Sequence, residues 1–253
     1  MRVDKKHLET FIKQIKLDCN CEEAKNISER FYLAPSKKIN GARIVDNMDL
    51  FFRAVVIMGQ AFVMADEETV DGFEEILKDI DPEWLFEYPT LRTIDYILHE
   101  YGREIVDTHI YYLPKEDCEK EKAWGNEIWF EKNDIEQFRE NNPFYNAFIF
   151  SENQPDEIAV GIKDGDEIIA MAGASRDGKY VMQIGVDVFS GYEGKGYASH
   201  LVALLKDKII EKGFTPFYGT CESHAISSNI AMNAGFLPAF SEFFAAKAND
   251  KTI

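Results

Sequence analysis

Apolar positions along this chain follow two different periods. Leu8, Phe11, Ile12 and Ile15 recur at steps of three and four, the spacing of one helix face. After a polar connection at 36–41 the spacing tightens. The runs 54–58 and 61–64 are almost wholly apolar and flank Gly59-Gln60, which predicts a hairpin. Val70, Phe73, Ile76, Leu77 and Ile80 predict a helix over 69–80, and Trp84-Leu85-Phe86 a short strand. Leu91, Ile94, Ile97 and Leu98 predict a helix over 89–101, stopped by Gly102, with a strand over 106–113 closed by Pro114.

The stretch 115–122, KEDCEKEK, is nearly all charged and reads as a solvated linker. The expected division is therefore an accessory α/β domain over 1–122 and a second domain over 123–253. The second half opens with a strand at 127–130 and an amphipathic helix near 134–140. Strands at 158–162 and 167–174 flank the turn 163–166, and a longer strand follows over 180–188. Tyr197, Leu201, Leu205 and Ile209 stripe a helix over 198–212, stopped by Gly213. A strand at 216–221, a helix at 225–234, Gly235 and a strand at 240–246 complete the order. Strands interleaved with helices around antiparallel hairpins predict a mixed α/β (α+β) fold with a twisted mixed sheet flanked by helices.

Composition narrows the function. In 253 residues, 45% are apolar and 13% aromatic, enough to bury a core, which excludes a disordered chain. With 28 basic against 45 acidic residues the formal charge is −17. Such a balance argues against nucleic acid and against anionic lipid as partners, and it permits a cationic substrate. No apolar run reaches membrane-span length, and the first residues lack the apolar core of a secretory signal, so a cytoplasmic protein is expected. Cys19, Cys21, Cys118 and Cys221 show no zinc spacing; reduced thiols and no metal are expected.

The segment 184–198, IGVDVFSGYEGKGYA, carries the strongest chemistry. An apolar strand enters a turn with Gly191, Gly194 and Gly196, and the turn opens an amphipathic helix. Glycine admits positive φ and close backbone approach, and the first N–H groups of a helix lack intrahelical partners. Together they suit a pyrophosphate, although a tight turn without ligand has the same glycines. Lys195 is followed by Gly196 rather than Ser or Thr, which disfavours a nucleotide-hydrolysing loop, and the glycine spacing reverses the dinucleotide fingerprint.

The order strand, EGKGYA, helix, strand, helix, GF, strand resembles the GNAT superfamily of acetyl-CoA-dependent N-acyltransferases over about 127–246. IIAMAGAS (168–175), PFYGT (216–220) and SHAISSNIAMNAGF (223–236) resemble a narrower clostridial-type group with an N-terminal accessory domain. The resemblance implies a coenzyme A site at Glu193, Gly194, Lys195, Gly196, Tyr197 and Ala198. Glu193 stands where the family usually has Gln or Arg. It also implies a pantetheine arm along Val186 to Val188, with the strand 217–221 opposite and the helix from Ala225, bearing Ser227, beside the thioester.

An amine must lose a proton before it attacks a thioester, so a general base is useful. Two positions where many family members carry Glu and Tyr are Gln183 and Ala231 here. The remaining candidates are His224, Glu222 and Asp187. Each has a structural alternative, His224 as a polar helix-start residue and Asp187 as a solvated strand residue. Ser223 is expected to cap the helix, and Tyr192 and Tyr218 are spare acids. Two functions compete: an N-acetyltransferase acting on a primary amine of a small molecule, and a non-catalytic acyl-CoA-binding module. A protein or peptide N-acetyltransferase is a third, and a homodimer a possible assembly. The first half reads as a degenerate copy of the same fold in which Asp66, Glu67 and Glu68 replace the phosphate loop, so no coenzyme is expected there. The alternative is an unrelated α/β domain of similar element order.

Overall fold

The computed structural model describes residues 2–46 and 49–248. Its chain forms two units with interleaved sequence. One takes Met1–Phe11 and Tyr112–Pro238; the other takes Ile12–Tyr111 and Ala239–Ile253. We call them the loop-bearing unit and the flanking unit. The cut expected after Lys122 falls inside the loop-bearing unit, which already includes Tyr112.

In the flanking unit, the second half of α1 (Lys5–Asp18) precedes β1 (Lys25–Ser28) and β2 (Phe31–Pro35). β3 (Phe52–Ile57) and β4 (Gln60–Ala65) form the expected hairpin, with Ile57 opposite Gln60. Met58 and Gly59 both have positive φ (48° and 72°), as a two-residue hairpin turn of this twist requires. Strand order is β1-β2-β4-β3-β11, where β11 is Phe236–Lys247. β2 runs parallel to β4, and β11 antiparallel to β3 with Phe240 opposite Ile57. α2 (Val70–Leu77), α3 (Tyr88–Glu100) and most of β5 (Arg103–Pro114) follow. Phe31, Leu33, Phe52, Phe73, Leu98 and Phe243 make the core.

The strand expected at 84–86 does not form. Asp81 accepts a hydrogen bond from Glu83 N–H and starts a 3-10 turn over Pro82–Trp84, which buries Leu85 and leaves Trp84 exposed. Three apolar residues are too few to distinguish a strand from a helical turn. The second-copy reading needed that strand. The position parallel to β4 is held by β2 instead, so the expected strand-helix-strand-helix-strand order is not realised here.

Four charges are buried in this unit. Arg43 Nε donates to Asp18 Oδ2 (2.6 Å) and its Nη1 to Glu242 Oε2 (3.0 Å), while Arg53, 1% exposed, also pairs with Glu242. Burial pushes the Glu242 carboxyl up, but the two guanidinium groups outweigh it and hold its pKa below the usual range.

In the loop-bearing unit the strand order is β10-β9-β8-β7-β6. These are β6 (Glu127–Glu131), β7 (Asp156–Asp164), β8 (Glu167–Ser175), β9 (Val181–Val188) and β10 (Thr215–Thr220). Neighbours are antiparallel except β9 and β10, which run parallel. The helix expected near 134–140 is shorter and split. α4 (Lys132–Ile135) passes into a 3-10 turn at Glu136–Phe138. α5 (Tyr197–Glu211) packs on β7, β8 and β9, and α6 (Ala225–Asn233) on β10 and α5. No helix among the described residues is long and apolar enough to cross a membrane.

Candidate functional site

β9 and β10 begin as a paired parallel ladder, from Val181 and Thr215 to Ile184 and Tyr218. There the pairing stops, although both strands continue. Val186, Asp187 and Val188 stay paired to β8 on one side only, opposite Ala172, Met171 and Ala170. Their other edge is open, a row of main-chain groups able to pair with an extended ligand.

The loop from β9 to α5 follows directly. Gly191, Gly194 and Gly196 all have positive φ (88°, 74° and 87°). Gly196 is the cap residue of α5 and provides no side-chain cap. The helix start therefore keeps its N–H donors for another acceptor, with the positive end of the helix dipole behind them. A side chain at Gly196 would be conformationally strained, and its Cβ would stand 4.0 Å from the Trp124 ring. Glu193 turns its carboxylate onto Gly191 N–H (2.6 Å). Lys195 Nζ lies over the Tyr192 ring (4.8 Å), and Tyr192 Oη donates to Asp164 (2.9 Å).

The open edge and the loop share a cavity of about 550 Å³. Val186, Asp187 and Val188 line one side, Glu193, Gly194 and Gly196 to Ser199 supply the loop and helix start, and His224, Asn229 and Asn233 face them from α6 and its cap. The structure thus brings together most residues expected from sequence. Lys195 and Ser227 do not line the cavity, and nor does Glu222, an exposed residue two positions before His224.

His224, not Ser223, is the cap residue of α6; its imidazole makes no cap bond and is exposed. Ser227 is buried, its hydroxyl 2.8 Å from Tyr218 Oη. Burial raises the Tyr218 phenol above its ordinary pKa, against the opposing effect of the Ser227 hydrogen bond. Ser228 donates to the His224 carbonyl oxygen (3.3 Å).

Asp187 is not a solvated strand residue. Its Oδ2 accepts from Asn146 N–H (2.8 Å) and Ala147 N–H (2.9 Å), and its Oδ1 from the Asn146 carboxamide (2.5 Å). The segment so held lies directly on the sheet. A Cβ at Gly185 would stand 1.8 Å from Asn146 O, and one at Gly173 2.0 Å from Ala147 O. Gly173 and Gly185 are opposite each other across β8 and β9, so the two glycines make one flat seat. Asn146 lines the cavity and was not foreseen; two glycines inside strand patterns were the available signal, since such glycines mark close backbone approach.

Behind the helix start, His200 Nε2 is 2.7 Å from Glu127 and its Nδ1 2.9 Å from Glu121. Trp124 stacks on the imidazole at 3.7 Å. Burial works against the Glu127 carboxylate, but His200 and the N–H groups of Trp124 and Gly125 bring its pKa down to about 2. Among the described residues no cluster of His, Cys, Asp and Glu suited to a metal ion is found.

Residues 122–232 match the sequence model of the acetyltransferase (GNAT) family. No curated protein matches the sequence. Among solved structures, a GNAT-family acetyltransferase from Novosphingobium aromaticivorans aligns at 14% identity and TM-score 0.46, over 58% of this chain and 69% of its own. A GCN5-related N-acetyltransferase-like protein from Streptococcus suis aligns at 13% identity and TM-score 0.45, over 95% of this chain and 98% of its own. The acetyltransferase yncA of Salmonella typhimurium, solved with its cofactor acetyl-CoA, aligns at 15% identity and TM-score 0.31, over 38% of this chain and 67% of its own. The matched segment, residues 122–232, holds the splayed strands and the glycine loop, and this part of the chain is similar to the GNAT acetyltransferases.

Proposed function

We propose that the protein transfers an acetyl group from acetyl-CoA to a primary amine of a small molecule by direct attack. The observation that carries this is the single cavity shared by an open β9 edge and an uncapped helix start. A pyrophosphate suits the N–H groups of Gly194 to Ala198, and a pantetheine arm suits the edge at Val186 and Val188. Coenzyme A supplies an activated thioester; the chain must hold it, bring an amine to it and take a proton.

The residues divide that work. His224 lines the cavity with its imidazole in reach of solvent, and it serves as the base for the incoming ammonium, directly or through water. Asp187 has both oxygens engaged by the segment it holds, so it acts by fixing the cavity wall at Asn146. Glu222, close in sequence, adds negative charge that favours a cation. Ser227 and Tyr218 form a buried hydroxyl pair beside the splay, fit to keep α6 in place.

The test is thiol release from acetyl-CoA across polyamines, aminoglycosides, amino acids and peptides, with calorimetric titration of acetyl-CoA in parallel. Release with a small amine supports the reading. Tight binding without release for every acceptor defeats the transferase assignment, and release with peptides alone moves the acceptor to protein.

A further inference from the structure

Lys206 is a buried cation on α5, a helix whose other buried residues are apolar apart from His200. Its Nζ donates to the Ala234 carbonyl oxygen at the end of α6 (2.9 Å) and to Cys118 Sγ (3.1 Å). The neighbouring Asp207 Oδ1 is further, at 3.7 Å, and Asp207 Oδ2 accepts from Glu121 N–H (2.8 Å). Cys118 is free and half-buried. The room for the pair comes from Gly235, at φ +88°. A Cβ there would stand 2.4 Å from Cys118 Sγ and 2.9 Å from Lys206 Nζ. An amine and a thiol are therefore held in contact under a residue without a side chain. Neither group lines the cavity described above.

We propose that Cys118 and Lys206 form a covalent modification site, at which peroxide joins the two side chains through one oxygen as an N–O–S bridge. The first peroxide gives an oxygen to the Cys118 sulfur, producing the sulfenic acid and one water. Lys206, having released a proton to solvent, then presents a neutral amine to that oxygen. A second peroxide takes one hydrogen from nitrogen and one from the S–OH oxygen as the N–O bond forms, and is reduced to two waters. Sulfur and nitrogen are oxidised, and both oxidants are peroxide. A disulfide would need a second thiol at Sγ; the atom placed there is Nζ. The bridge also draws Nζ from Ala234, so it changes how the end of α6 is held.

The test uses the full-length protein treated with hydrogen peroxide, digested without reductant and read by peptide mass spectrometry. The expected product is one linked species containing Cys118 and Lys206, heavier than the two peptides by one oxygen less two hydrogens. It resists trypsin at Lys206 and disappears with dithiothreitol, restoring the thiol. Cys118→Ser abolishes it. Lys206→Arg, checked for folding by circular dichroism, leaves Cys118 as a dimedone-reactive sulfenic acid. The proposal is overturned if Cys118 in the wild type stays a thiol while the exposed Cys221 oxidises. It is equally overturned if Cys118 runs on to sulfinic acid unlinked, if the link lacks oxygen, or if it survives dithiothreitol.

Discussion

The chain passes from strand into helix twice in comparable surroundings, and the two passages end differently. From β4 to α2 the turn is filled by the chain itself. Asp66 Oδ1 accepts Glu68 N–H (3.1 Å), and the Asp66 carbonyl oxygen accepts the N–H of Thr69 (2.8 Å) and Val70 (3.1 Å). From β9 to α5 three glycines with positive φ replace those carboxylates, and the cap residue provides no side chain. The cap residue of α2, Thr69, makes no side-chain cap bond either, so the two passages differ in the turn itself: one is held by Asp66, the other is built on glycines. The same contrast runs through the two units. The flanking unit neutralises its buried charges internally, at Asp18, Arg43, Arg53 and Glu242. The loop-bearing unit keeps donors and an open strand edge for something else.

The largest break tests the closed side. Glu242→Ala leaves Asp18 alone to balance two buried guanidinium groups and should cost about 3–5 kcal/mol of stability. Urea unfolding reads that loss, and a change near zero would mean the cluster is solvated. Acetyl-CoA affinity of the folded protein should stay within about twofold. Gly196→Asp is its mirror. It puts a carboxylate and an unfavourable φ at the helix start and should weaken acetyl-CoA binding about 1000-fold, near 4 kcal/mol. An unchanged calorimetric titration would remove the loop from the coenzyme site.

Next in size, His224→Ala should lower turnover about 100-fold, the usual range for a lost general base. Coenzyme affinity should hold, and equal turnover would return His224 to a helix-start residue. Glu193→Gln removes a negative charge from the loop while keeping an acceptor for Gly191 N–H, and should tighten acetyl-CoA binding about threefold at low salt. Weaker binding would show that the Glu193–Gly191 bond shapes the loop more than its charge opposes phosphate.

The smallest effect is a pH dependence. Glu127 and Glu242 both have folded pKa values below their unfolded ones. Their contribution is complete above the unfolded carboxyl pKa of about 4.3 and is lost as pH falls through the folded values. For Glu127, held at about 2, the window is therefore pH 4 down to 2. Thermal melts of the wild type and Glu127→Gln should converge across that window, and parallel curves would deny the link.

What could be read beforehand followed the reach of each interaction. The hairpin, the striped helices and the glycine turn depend on neighbours a few residues away, and their spacing shows in the chain. β1 and β2 went unread because KNIS and FYLAP are short and β2 ends in proline. Asp187 was legible only as an acid on a strand, because Asn146 and Ala147, which claim its oxygens, are 41 and 40 residues distant. The Gly173–Gly185 seat has the same character, since it exists to let in a segment that the strands do not predict. The splay of β9 from β10 came from the resemblance, and the register shows where it starts, after Ile184 and Tyr218.

β11 has a consequence for biosynthesis. The strand that covers β3 and brings Glu242 to Arg43 and Arg53 is drawn from residues 239–247, near the far end of the sequence. On the ribosome, β3 and both arginines emerge nearly two hundred residues before their partner. The flanking unit must therefore wait with an unpaired edge, and with only Asp18 to balance the two arginines, until residues 239–247 emerge. Nascent chains stalled before residue 239 should be sensitive to protease within 12–111, and release of the last strand should end that sensitivity.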